Sequence, residues 1–295
     1  MSGPGEKDSI MSESELTVDV YVTPMRPFAS GPAPRPGFEP VWSPMSSTLF
    51  SGQRDAVLVD ALISFDQADA LAAWVKGHGK ELTAILITHG HSDHWLGLAR
   101  LLEHFPNARG LATAKVLERA RFEATDPGLR EYWRSRFPGE IPAEPVLPEQ
   151  IDDASFELEG HELRFIDSQG DIEHTSIVYA PSTGAVVAGD VVYNQVHMMT
   201  AETDAVSRGT WVADLDAIAA LNPTTVVAGH KRVGATDTPD RIAQSRQYIQ
   251  DFTRIAEERE KVEDIVEEMM SLHGDRDNPW VLWYCAEKAV AKRGS

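Results

Sequence analysis

The chain has 295 residues, 42% hydrophobic and 25% charged, which is the make-up of an ordinary globular protein with a substantial core. A formal net charge of −19 argues against a nucleic-acid partner, because phosphate backbones are held by clustered Lys and Arg. The single cysteine, Cys285, excludes a disulfide framework and a thiolate zinc cluster, so any metal must be held by imidazole and carboxylate.

Residues 1–15 are rich in Ser, Gly and Glu and are expected to be disordered. The first twenty residues lack the basic and apolar segments of a signal peptide, and no apolar run approaches the length of a membrane span. The expected location is therefore cytoplasmic, with no membrane partner. Residues 23–44 carry seven prolines and read as a surface arm or long loop. Two strands follow around the Ser-Gly-Gln-Arg-Asp turn at 51–55, and Ser64 is placed to cap a helix over "SFDQADALAAWVKGHG". "LTAILIT" is a buried strand, and "HWLGLARLLEHF" has helical Leu/Phe spacing. "GLATA" is a short strand before a helical, aromatic-bearing stretch from Lys115 to Phe137. In the second half, alternation predicts hairpins turning at Glu159-Gly160 and at Ser182-Thr183-Gly184. A helix and the buried strand "TTVVA" come next, and from Pro239 the pattern is helical to the end. Strands and helices in both halves suggest two sheets face to face with helices outside. The expected organisation is a main domain over 16–235 and a helical extension over 236–295.

The densest chemistry is His89-Gly90-His91-Ser92-Asp93-His94, at the junction of a strand and a helix. His89 and His91 can reach one ion, while Asp93 and His94, beyond the turn at Ser92, can point at a second. Imidazole with carboxylate suits zinc, iron or manganese. Three further candidates sit at strand ends in the second half: His174 before "SIVYA", Asp190 closing "AVVAGD", and His230 closing "TVVAGH". Gly189 and Gly229 would let the backbone approach closely there. Each of the three alone could be an ordinary loop residue; together with the first loop they are better explained as one site.

With this signature and the later His, Asp and His in that order, residues 45–235 resemble the metallo-β-lactamase-fold hydrolase superfamily. The resemblance implies an α/β architecture, the αββα sandwich, here with a helical C-terminal extension. It implies two metal ions, zinc first and iron or manganese as alternatives. His89, His91 and His174 would hold the first, Asp93, His94 and His230 the second, and Asp190 would bridge them. Asp60, ending "AVLVD", would support the ligands from behind; where the superfamily has glycine two residues later, this chain has Leu62.

Two adjacent divalent ions make hydroxide available near neutral pH, and Asp93 can act as general acid/base, so hydrolysis is the implied reaction. Asp190-Val191-Val192-Tyr193 has the D-x-x-Y spacing of N-acyl-homoserine-lactone lactonases, which would make Tyr193 a hydrogen-bond donor to the substrate carbonyl. Lactone or ester hydrolysis is the expectation. Thioester hydrolysis of the glyoxalase-II kind is the alternative, then β-lactam hydrolysis. An iron oxidoreductase on the same ligands and a non-catalytic metal scaffold are different classes. A small-molecule substrate is expected, and the aromatic C-terminal helix suggests a homodimer. The aromatics of 117–137 and Trp280, Trp283 and Tyr284 either pack on the body or wall the substrate site. His197 reads as a loop histidine near the site.

Overall fold

The structure, a computed structural model, describes residues 15–293; the segment 1–15 expected to be disordered lies, apart from its last residue, outside the described residues. One six-stranded sheet runs Thr17–Val22, Ser46–Ser51, Asp55–Val59, Glu81–Leu86, Arg109–Ala112, Glu149–Gln150 in spatial order. The strands from Asp55–Val59 onward pair in parallel. A five-stranded sheet runs Thr225–Val227, Ala185–Val187, Thr175–Ala180, His161–Ser168, Ser155–Leu158.

The alternation of the strands builds the sandwich. Phe50, Val57, Val59, Ala84 and Leu86 of the first sheet share one buried cluster with Leu163, Phe165, Val178, Ala180, Val187 and Val227 of the second. Their neighbours along the same strands, Leu49, Leu58, Ile85, Ile177, Val186 and Val226, belong to the other cluster, with the helix residues Leu71, Val75, Leu101, Trp211, Leu215 and Phe252. One face of each sheet therefore meets the other sheet and the opposite face meets helices, as a period of two requires.

Helices Phe65–Gly77 and Leu98–His104 follow first-sheet strands, and Ala205–Ala220 precedes Thr225–Val227. Ser64 stands at the N-cap of Phe65–Gly77, but its hydroxyl bonds the Asp66 and Gln67 side chains instead of the helix backbone. The stretch expected to be helical from Lys115 is two helices, Ala114–Thr125 and Pro127–Arg136. Asp126 breaks it and caps the second helix, accepting from Leu129 N at 2.8 Å. After Pro239 the chain forms Asp240–Glu258, Val262–His273 and Pro279–Arg293, whose buried residues join the helix-side core. Among the described residues no helix is long and apolar enough to cross a membrane.

Candidate metal centre

The two sheets bring their chemistry to one edge. His89 follows the strand Glu81–Leu86, and the short helix Ser92–Trp95 presents Asp93 and His94. Asp190 sits in the turn Gly189–Val191 after Ala185–Val187, and His230 opens the two-residue strand after Thr225–Val227. Strands parallel to their neighbours end on the same side, so these loops converge.

The side chains form two buried groups. His89, His91, Asp171 and Asp190 make one, and Asp93, His94 and His230 the other, with ligand atoms inside each group within 4.8 Å of one another. Asp190 faces both: Oδ1 lies 3.3 Å from His94 Nε2 and Oδ2 lies 3.4 Å from His230 Nε2 and 3.9 Å from His89 Nε2. Asp93 Oδ2 is 3.3 Å from His230 Nε2.

Each imidazole is held by its outer nitrogen. His94 Nδ1 donates to Asp60 Oδ2 at 2.9 Å, and Asp60 also accepts from Thr88 N and Oγ1. His89 Nδ1 lies 3.1 Å from Thr88 Oγ1, His91 Nε2 donates to Glu202 Oε1 at 2.9 Å, and His230 Nδ1 donates to Pro44 O at 3.2 Å. Such anchoring leaves the inner nitrogens with lone pairs directed at the centre. His89 Nε2, His94 Nε2, Asp171 Oδ1 and Asp190 Oδ1 are buried without a hydrogen-bond partner. Burying two carboxylates with such atoms unmet is costly unless a cation satisfies them together, and the donor set is that of a divalent-metal site.

The titration of the groups shows the same strain. Burial pushes the Asp171 carboxyl up to about 6 against the opposing pull of His91. Burial and the neighbouring His94 hold His89 below the ordinary imidazole value. His94 is also disfavoured by burial as a cation, yet Asp190, Asp93 and Asp60 together raise its pKa well above 6.5.

Six of the seven expected ligands are brought together; His174 is not. It precedes the strand Thr175–Ala180 in a left-handed conformation, φ 65°, and lines a separate surface pocket with Lys115, Asp167 and Asp214. Asp171, three residues earlier, takes its corner: His91 Nδ1 is 2.9 Å from Asp171 Oδ2, and His89 Nε2 is 4.0 Å from Asp171 Oδ1. Tyr193, expected to donate to a substrate carbonyl, lies against two of the clustered ligands. The pair Tyr193–Asn194 runs parallel to His230–Lys231 with Tyr193 opposite His230, so the ring stacks on His230. The hydroxyl, almost fully buried, donates to Asp190 Oδ2 at 2.7 Å.

Sequence patterning missed three supports. Trp42, from the proline-rich arm, donates its indole N–H to Asp93 Oδ2 at 3.1 Å. Glu123 accepts from Ser92 N and Oγ at the start of the ligand-bearing helix. Glu202 holds His91 and pairs with Arg119. None belongs to a spacing motif. His197 is fully buried, with Nδ1 3.0 Å from Tyr248 Oη, and stands apart from both ligand groups.

Over the centre opens a cavity of about 160 Å³, its walls Trp42, Leu129, Tyr132, Trp133, Met199 and Tyr284. Both aromatic stretches in question therefore wall it, through the helices Pro127–Arg136 and Pro279–Arg293.

A two-sheet αββα core with a His/Asp metal-binding site at one edge defines a metallohydrolase fold. The chain belongs to the metallo-beta-lactamase superfamily, whose family model matches residues 40–230. A hydroxyacylglutathione hydrolase of Glaesserella parasuis serovar 5 (strain SH0165) is 30% identical over 141 residues, 47% of this chain and 46% of that protein. One from Synechococcus sp. (strain CC9605) is 35% identical over 69 residues, 23% of this chain and 26% of that protein. The matched region thus spans less than half the length of these relatives. A metallo-beta-lactamase family protein from Thermus thermophilus shares the fold at TM-score 0.61 and 20% identity, covering 93% of this chain and 94% of its own. The sec-alkylsulfatase of a Pseudomonas sp. shares it at TM-score 0.59 and 15% identity, over 84% of this chain and 47% of its own.

Proposed function

We propose that this protein hydrolyses an uncharged ester or lactone bearing an apolar acyl group. The observation that carries the reading is the cavity wall. Its lining is aromatic and aliphatic above, acidic and imidazole below, and among the described residues includes no Lys or Arg. Arg119, beside it, is committed to Glu123 and Glu202. An anionic substrate would find no free Lys or Arg on the wall to pair with, whereas a neutral acyl chain would bury against Trp133, Leu129, Met199 and Tyr284.

The residues that would hold two divalent ions are His89, His91, Asp171 and Asp190 on one side, and Asp93, His94, His230 and Asp190 on the other. Zinc, iron and manganese are all compatible with imidazole and carboxylate. The chemistry such ions supply when bound is an acidified water and a polarised carbonyl. Asp93, at the cavity floor, accepts the proton of the attacking water and returns it to the leaving oxygen. Trp42 fixes the carboxylate that does so. Tyr193 acts through Asp190, setting the orientation of that carboxylate from behind.

Thioester hydrolysis is the second reading, favoured by the partial matches to hydroxyacylglutathione hydrolases. A comparison of kcat/KM on an N-acyl-homoserine lactone, a glutathione thioester and a chromogenic cephalosporin separates the readings. The lactone is expected to lead by more than about a hundredfold, some 2.7 kcal/mol of transition-state discrimination. A lead for the thioester would overturn the lactone reading and leave the metal site standing. In the same assay His91→Ala should abolish turnover while the protein remains folded; wild-type rates would show the site to be elsewhere.

A further inference from the structure

The corner expected for His174 belongs to Asp171, and this changes the character of the centre. With an imidazole there, one group would hold three imidazoles and the other two imidazoles and a carboxylate. With Asp171 the groups match: His89, His91 and Asp171 face Asp93, His94 and His230, and Asp190 stands between them. Three carboxylates now serve the pair, so two divalent ions are left with one net positive charge instead of two.

We propose that Asp171 is a metal ligand that lowers the preference of this centre for zinc over harder ions, manganese in particular. The position supports ligation: Asp171 is 1% exposed, its Oδ1 has no hydrogen-bond partner, and Oδ2 is 2.9 Å from His91 Nδ1. Among the described residues no Arg or Lys is paired with it, and its near cationic partners are the imidazoles of His91 and His89, themselves ligand candidates. The chemistry of donors gives the direction. An imidazole nitrogen discriminates strongly between zinc and manganese, whereas a carboxylate oxygen discriminates weakly and suits the harder ion. Exchanging one for the other compresses the gap between the two metals without reversing their intrinsic order. The inference concerns ion choice and does not depend on which bond is cleaved.

The test reads bound metal, not turnover. The full chain is stripped with a chelator and dialysed against equal concentrations of ZnCl2 and MnCl2, and the retained ions are counted by mass spectrometry. Asp171→His is expected to raise the bound zinc-to-manganese ratio about tenfold over the wild type. Asp171→Asn keeps the shape and removes the charge, and is expected to lower the retained ions from two towards one. Circular dichroism establishes that each variant is folded, and the Asn variant decides the ligand role should the His variant fail to fold. Equal ratios in wild type and Asp171→His would overturn the proposal. So would an Asp171→Asn protein that keeps both ions at unchanged affinity.

Discussion

A Cβ added at Gly229 would run into Asp190 Oδ1 and stand 3.0 Å from His94 Cε1. At Gly189, where φ is +48°, it would stand 2.6 Å from Thr88 Oγ1, and at Gly170 it would stand 3.1 Å from Asp190 O. The residue after each of these glycines, Asp171, Asp190 or His230, belongs to the cluster, because only a backbone without a side chain passes closely enough to deliver it. Gly229→Ala should therefore lose bound metal while retaining its far-UV spectrum; a variant with full metal content would show that the close approach is dispensable. The same step explains how far the ligands were legible. The loop motif and the "AGD" and "AGH" strand ends pointed to six of the seven clustered residues. The third loop holds both a histidine and "SQGD", and there histidine, the more usual ligand, drew attention from the residue with the matching glycine. Trp42 lay beyond sequence reasoning altogether, since nothing local ties a proline-rich arm to a loop fifty residues away. Trp42→Phe keeps the ring on the cavity wall and removes the N–H held by Asp93, a charge-assisted bond worth roughly 1.5–3 kcal/mol. A fall in kcat of roughly ten- to a hundredfold is expected. An unchanged kcat would mean that Asp93 needs no such restraint.

Between elements, the clearest device is Glu159, at the tip of the hairpin joining Ser155–Leu158 to His161–Ser168. Alternation and the Glu-Gly pair made that turn legible, and Glu159 and Gly160 do adopt positive φ, 50° and 86°. Alternation could not show why a glutamate should accept that conformation. Its carboxylate accepts from the backbone N–H groups of Gln53, Arg54 and Asp55 at 2.7–2.9 Å, tying the turn of one sheet to the turn of the other. Those three backbone donors hold its pKa down, from the usual 4.5 to about 2. A depressed carboxylate contributes stability that is fully present above its unfolded pKa and is lost as pH falls through its folded value. Glu159→Gln should therefore be less stable than wild type at neutral pH, and the difference should shrink from about pH 4.5 down to about pH 2. Denaturant midpoints across that range measure it; a difference independent of pH would assign the loss to packing. Leu62 shows a similar acceptance of strain. It holds φ 62°, a conformation that favours glycine, and being fully buried it makes apolar contact that a glycine would lack.

Taken across the whole molecule, the charge pattern predicts that folding and metal binding form one equilibrium. Asp60, Asp93, Asp171, Asp190 and Glu123 are all buried at one edge of a chain that already carries −19. Asp60 and Glu123 are satisfied by hydrogen bonds from Thr88, His94 and Ser92, and Glu123 is also paired with Arg119. The other three carboxylates have as near neighbours chiefly one another and four imidazoles. Ions that bind only the folded chain stabilise it by RT ln(1 + [L]/Kd), about 2.7 kcal/mol per site when free metal is a hundredfold above Kd. At the roughly 2–4 °C per kcal/mol typical of domains of 150–250 residues, removing one such ion should lower Tm by about 5–10 °C. Chelator should therefore shift the melting curve of the wild type downward, and added divalent metal should restore it. Asp190→Asn, which weakens both halves at once, should melt at nearly the same temperature with chelator or metal. A wild-type Tm indifferent to chelator would mean that the buried carboxylates are neutralised within the chain, by protons shared with His91, His94 and His230, and that the metal adds nothing to the fold.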